Sequence, residues 1–125
     1  MQKFPGFLMA IFGASLLVSC ASFYKKEPNL SGTWRNKLGV VWVLRTNGTF
    51  DVDFNADGQR DTWGTYRLRR DRITILDRSG KVDSECKSPG LYRYVLNNGE
   101  LTFEALEDAC AARRANLALT WRRQP

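Results

Sequence analysis

From residue 30 onward, apolar and polar side chains alternate in short runs, and Gly, Asn and Asp interrupt them at near-regular intervals. A period of two puts successive side chains on opposite faces of a strand. The pattern predicts strands over 32–36, 39–45, 49–54, 62–69, 72–77, 90–96, 100–106 and 117–123. In GTFDVDF, Phe50, Val52 and Phe54 share one face, and Asp51 and Asp53 share the other. Tyr92, Tyr94 and Leu96 oppose Leu91, Arg93 and Val95 in the same way. The interruptions Thr46-Asn47-Gly48, Asp57-Gly58, Ser79-Gly80 and Asn97-Asn98-Gly99 are hairpin turns, built from residues that tolerate positive φ. One segment departs from the pattern. EDACAARRAN, 107–116, is rich in alanine and arginine and predicts a short helix, with Asp108 placed to cap its start.

Connections this short make sequential strands pair, and closing the resulting meander removes its exposed edges. The expected fold is therefore all-β: a small antiparallel up-and-down β-barrel of about eight strands with one short C-terminal helix before the last strand. Barrels of this size either fill their interior with side chains or hold one small ligand. Abundant Phe, Tyr, Trp and Leu on alternating faces favours a mostly filled interior. Phe50, Val52, Phe54, Trp63, Tyr92, Tyr94 and Phe103 are the expected lining of whatever space is left.

The chain opens MQKFPGFLMAIFGASLLVSC, with a basic residue at Lys3 and an apolar run from Phe7 to Val18. This has the form of a secretory signal, and the run is shorter than the roughly 20 residues that span a bilayer. Leu17 to Cys20, L-V-S-C, resembles the lipobox of bacterial lipoproteins. The resemblance implies cleavage ahead of Cys20 and attachment of a diacylglyceryl group to its sulfur, with palmitate among the acyl chains. Ala21 is not the aspartate that commonly retains such proteins in the inner membrane, so the implied location is the periplasmic side of the bacterial outer membrane, held by the N-terminal lipid anchor. Residues 1–19 are then signal peptide, 20–30 a lipidated tether and 31–125 one barrel domain. The 106 residues that remain suffice for a single core.

Loss of Lys3 lowers the formal charge from +6 to +5. Export makes nucleic acid an unsuitable partner for this basic surface and leaves anionic envelope components. In an oxidising compartment, with Cys20 acylated, Cys86 and Cys110 form an even pair. Each lies twelve residues from Asn98, at the centre of the Asn-Asn-Gly turn, so the two face each other at the open end of a hairpin and are expected to form a disulfide.

LSGTWR at 30–35 resembles the G-x-W element that opens the first strand of lipocalins and related calycins. The stretch from Gly90 to Gln124, with Asp108, Cys110 and Arg113 as D-x-C-x-x-R and a closing Trp-x-Arg, is similar to the ending of small bacterial lipocalin-like lipoproteins. The resemblance implies structural roles for Gly32, Trp34, Asp108, Arg113 and Arg122. Trp34 would plug one barrel end beneath a late arginine: Arg122 by position, with Arg113 the alternative.

Little catalytic chemistry can be assembled. The chain has no histidine, which excludes Ser-His and Cys-His arrangements and His-based metal sites. Asp51 and Asp53 share a face, but their simpler role is the solvent side of a strand. YRLRRDR groups Arg67, Arg69, Arg70 and Arg72 about a tight turn; this is either a contact surface for phosphate or carboxylate or ordinary solvated charge at a hairpin tip. DFNADGQRD places Asp53, Asn55, Asp57 and Asp61 at calcium-loop spacing around Gly58. Gly64 stands where the bidentate carboxylate belongs, and the flanks are strands, so a hairpin turn is the simpler reading and calcium the only cofactor in question. The expected function is a non-enzymatic envelope lipoprotein that binds a small apolar or lipid ligand. The alternative is a filled barrel acting as an inhibitor or assembly factor through its loops and arginines.

Overall fold

The computed structural model describes residues 28–125, together with Gln2, Lys3, Gly6, Gly13 and Ala14. Cys20 and most of the expected signal and tether lie outside the described residues. Eight strands follow in order: β1 (Gly32–Arg35), β2 (Val41–Leu44), β3 (Thr49–Asp53), β4 (Thr62–Arg69), β5 (Arg72–Gly80), β6 (Gly90–Asn97), β7 (Glu100–Glu107) and β8 (Trp121–Arg123). One helix, α1 (Ala111–Leu117), precedes β8. Every strand pairs antiparallel with its sequence neighbours, and β1 closes on β8 through Trp34↔Arg123 and Arg35↔Arg122. The expected up-and-down barrel is the observed one.

Alternating strand direction sorts the connections into two ends. Tight turns at 45–48, 70–71 and 98–99 gather at one, the turn end, where the chain also arrives through 28–31. Arg70 (φ 57°) and the Asn98-Gly99 pair (φ 51° and 76°) take the left-handed backbone that two-residue hairpins require. The longer segments 36–40, 54–61, 81–89 and 108–120 gather at the other, the loop end.

Trp34, Trp42, Leu44, Phe50, Ile73, Ile75, Tyr92, Tyr94, Leu101 and Trp121 point inward and are buried in one continuous core. Full burial of one such aliphatic or aromatic side chain contributes about 1.5–3 kcal/mol. Within β4 the inward parity belongs to Thr62, Gly64, Tyr66 and Leu68. The ladder shifts register between Trp63 and Gly64, and a Cβ on Gly64 would lie 2.0 Å from the Leu76 carbonyl oxygen. Only glycine lets β4 and β5 approach this closely.

Four expectations need correction. The helix begins at Ala111, not 107, and Cys110 caps it by accepting from the Arg113 N–H. Asp108 is unavailable as a cap because its carboxylate faces Arg113. The last strand starts at Trp121 instead of 117, since Leu117 is still helical and buried. Trp63 lies on the outer face opposite Asp51, with the Arg60 guanidinium 3.9 Å from its ring centroid. It falls between inward-facing Thr62 and Gly64, so its parity is the reverse of the core's.

The arginine over Trp34 is neither Arg122 nor Arg113. Arg123 lies opposite Trp34 in the ladder and stacks on its ring at 4.4 Å. Arg122, one residue earlier, points outward to Glu100 at 2.8 Å. Arg123 also explains the glycine of G-x-W: a Cβ on Gly32 would fall 2.8 Å from its Nη1.

Candidate functional site: a pocket at the loop end

The pocket exists because the loop end is capped by a helix instead of a tight turn. Cys86 sits in a single 3-10 turn, Ser84–Cys86, and Cys110 at the N-cap of α1; their disulfide, Cα to Cα 4.5 Å, draws the 81–89 loop and the helix together. Both cysteines lie beyond the β6–β7 ladder, whose last pair is Leu91↔Glu107. The hairpin brings them near, and the loops complete the approach.

Below the disulfide is a buried ionic cluster. Arg113 is forked on Asp108, Nε to Oδ2 and Nη2 to Oδ1 each at 2.7 Å. It also donates to Asp77 Oδ2 at 3.1 Å and to the Ser88 carbonyl at 2.8 Å. Asp108 further accepts from the Tyr92 hydroxyl and from the Cys110 N–H. Room for this depends on Gly90, where a Cβ would meet Asp108 Oδ2 at 2.5 Å and Arg113 Nε at 2.9 Å.

The two carboxylates respond in opposite directions. Burial disfavours the charge on Asp108, but the bonds from Arg113, Tyr92 and Cys110 outweigh it and hold its carboxyl below the usual range. For Asp77 burial prevails over the attraction of Arg113, and its carboxyl is pushed up. Burial also opposes the Arg113 charge, yet its bond to Asp108 prevails and the guanidinium is held more firmly protonated. Burial and the Asp108 bond push the Tyr92 hydroxyl far above its ordinary range, so it remains a donor.

Over this cluster, between α1 and the barrel mouth, lies a pocket of about 250 Å³. That is the volume of about eight waters, just under the roughly 300–1,000 Å³ of drug-sized sites. Its floor is apolar, formed by Trp42, Phe50, Val52, Ile75 and Trp121, and Leu117 of α1 closes over it. Polar groups confine themselves to the wall and rim, at Thr62, Asp77, Lys81, Asp83, Arg113 and Asn116, with Phe54 half exposed beside them. Trp42 and Trp121 pack with ring centroids 5.4 Å apart, and their indole N–H groups are buried without a hydrogen-bond partner among the described residues.

No family model matches the chain, and no curated protein and no solved structure matches it. The geometry stands alone.

Of the expected lining residues, Phe50, Val52 and Phe54 border the pocket. Tyr92, Tyr94 and Phe103 instead belong to the packed barrel core, Phe103 lying against Trp42 and Tyr92, and Trp63 is outside. Trp42 and Trp121 also line the pocket, and both face inward by the alternation of β2 and β8. Asp77 joins them as well: it shares the inward parity of Ile73 and Ile75 on β5 and lies opposite Gly64, a polar residue at a position that alternation assigns to the interior.

In the 54–61 loop the acidic side chains are engaged as acceptors. Asp53 accepts from the Gly58 N–H at 2.8 Å, Asp57 from Gln59 at 2.8 Å and Asp61 from Phe54 at 2.8 Å. The Asn55 amide, turned to donate, lies 2.9 and 3.1 Å from Asp53 and Asp57. These bonds account for the loop's shape as a side-chain-supported turn. Among the described residues, the one grouping of three potential metal-ligating acidic or cysteine side chains is Asp77 with Cys86 and Cys110. Its sulfurs are joined in the disulfide and offer no thiolate.

Proposed function

We propose that this protein is a non-enzymatic, lipocalin-like lipoprotein, anchored through acylated Cys20 at the periplasmic side of the bacterial outer membrane, that binds a small apolar or lipid molecule at its loop end. The observation that carries the reading is the pocket: an apolar floor under a polar rim, roofed by a disulfide-held helix. Such a site gains affinity from burial of apolar surface and orientation from a few polar groups. Its volume suits a small ring compound or part of one acyl chain. A catalytic role has less support, because the ionic cluster is internally matched and, among the described residues, no nucleophile stands beside a base.

Protein purified without detergent should release a small apolar molecule in native mass spectrometry, and an apolar fluorescent dye should compete for its site. Val52→Trp, which fills the pocket from its floor, should abolish dye binding while the circular dichroism spectrum is kept. Dye binding undiminished in that variant, or none by the wild type, would sink the ligand reading. The anchor is tested separately: Cys20→Ala should eliminate palmitate labelling and move the protein from the outer-membrane fraction.

A further inference from the structure

The barrel's least compensated charge lies at the end away from the pocket. Arg69 faces Arg72 across the β4–β5 ladder, and Arg72 faces Arg93 across β5–β6. Like charges directly opposite on neighbouring strands are destabilising. Arg93 is relieved by Asp71 at 3.2 Å and Glu104 at 3.1 Å. Arg67, Arg69 and Arg72 are exposed, and none forms an ion pair among the described residues. On the same outer face of β6, two positions nearer the turn than Arg93, Val95 is 56% exposed.

The second observation is where the chain arrives. Residues 28–31 lie at this same turn end, and Arg123 holds them there by donating to the carbonyls of Asn29 and Ser31 while it stacks on Trp34. The 27 residues before Pro28 therefore depart from the arginine-bearing end.

We propose that the outer face of the β4–β5 hairpin is a docking surface for an anionic lipid bilayer, with Arg67, Arg69 and Arg72 on headgroup phosphates and Val95 at the interface. Guanidinium forks match phosphate oxygens in pairs, and a headgroup surface supplies the dense negative charge that a row of opposed arginines lacks within the barrel. Given the anchor proposed above, on which only the orientation rests, the tether and the docking face meet the membrane together. The pocket mouth then opens toward the aqueous side.

Residues 28–125 contain all eight strands, the disulfide and the core, and so fold as a unit. This fragment lacks Cys20, which makes the test independent of lipidation. It should co-sediment with phosphatidylglycerol-containing vesicles at low salt, not with pure phosphatidylcholine vesicles, and release at 0.5 M salt. Arg67→Glu/Arg69→Glu/Arg72→Glu should weaken binding by on the order of a hundredfold or more. Lys37→Glu/Arg78→Glu/Lys87→Glu, an equal charge change toward the loop end, should weaken it less than tenfold. Neutral Arg→Gln replacements at the same three arginines provide the measurement if the reversed charges hinder folding. Equal losses in the two triple variants would mean that net charge, not this face, drives binding, and would overturn the proposal. No binding to anionic vesicles, or equal binding to neutral ones, would overturn it too.

Discussion

Trp34 and Trp42 are neighbours across the β1–β2 ladder, yet the environments their indoles meet toward the two ends of the barrel are opposite. At the turn end, Trp34 is fully buried, its indole N–H donates to the Leu30 carbonyl at 2.9 Å, and Arg123 covers its ring. At the loop end, Trp42 and Trp121 are equally deep, but their N–H groups have no partner among the described residues and the space beside them is open. A buried donor left unpaired costs about 1–3 kcal/mol. One end is thus satisfied by its own chain; the other carries unspent polar capacity and depends on a helix, a disulfide and an ionic cluster to stay shut. Satisfied packing and the open pocket lie toward different ends of one core.

Breaking the ionic cluster should produce the largest effect. Asp108→Asn leaves Arg113 buried with only Asp77 opposite, and loss of one member of such a pair costs about 3–5 kcal/mol. Urea unfolding at pH 7 should show it as a lower midpoint with an unchanged slope. The same group dictates an acid sensitivity. Because the folded Asp108 carboxyl is held low, its stabilising contribution is complete above the ordinary carboxylate value of 3.8 and fades as pH falls through the lower folded value. A denaturation midpoint that does not drop on acidification through that window would contradict the cluster as described.

Next in size is the covalent tie. Cys86→Ser/Cys110→Ser opens a loop enclosing the whole β6–β7 hairpin, with a sequence separation of 24, and should lower stability by about 3 kcal/mol on the chain-entropy account. The loss should be local in its structural consequence: hydrogen exchange should quicken in α1 and 81–89 while β1 to β4 keep their protection. Uniform loss of protection would mean that the two ends do not differ as argued.

What could be read beforehand divides along the same line. Strands, their order and closure follow from a period of two and short turns, and these are local signals. The turn end was legible nearly to the residue, and the error there was one position: choosing Arg122 over Arg123 missed that alternation from buried Trp121 sends residue 122 outward and returns 123 to the Trp34 side. The loop end was not legible, because its walls come from four connections whose approach depends on tertiary packing. Asp108 matched a helix cap in sequence, yet a buried guanidinium five residues on claimed it. The pocket is what remains when α1, too short to cover the mouth fully, is held over it from one side.

The tryptophans give a more direct test of the contrast. Trp34→Phe loses a buried hydrogen bond and weakens the cation–π contact, together about 1–2 kcal/mol beyond the loss of ring area. Trp121→Phe gives up similar area but removes an unpaired donor, which offsets part of the loss. Chemical denaturation of the two variants should therefore place Trp34→Phe below Trp121→Phe by at least about 1 kcal/mol. Equal values would show that the indole N–H groups at the loop end are satisfied after all.

The smallest effect is expected inside the cluster itself, at Asp77. Its folded carboxyl is raised by burial despite Arg113, so its charge opposes folding above that raised value, and the penalty is relieved as pH falls through it. Asp77→Asn removes both the ion pair and the buried charge. At pH 7 it should change stability by less than about 1 kcal/mol, in contrast to Asp108→Asn beside it. Between pH 7 and 4 the variant should lack the small gain that Asp77 gives the wild type on acidification. The residue faces the pocket, so on the proposed binding role its neutral replacement should alter dye binding there more than stability; if instead Asp77→Asn destabilises as much as Asp108→Asn, the carboxylate belongs to the structural part of the molecule.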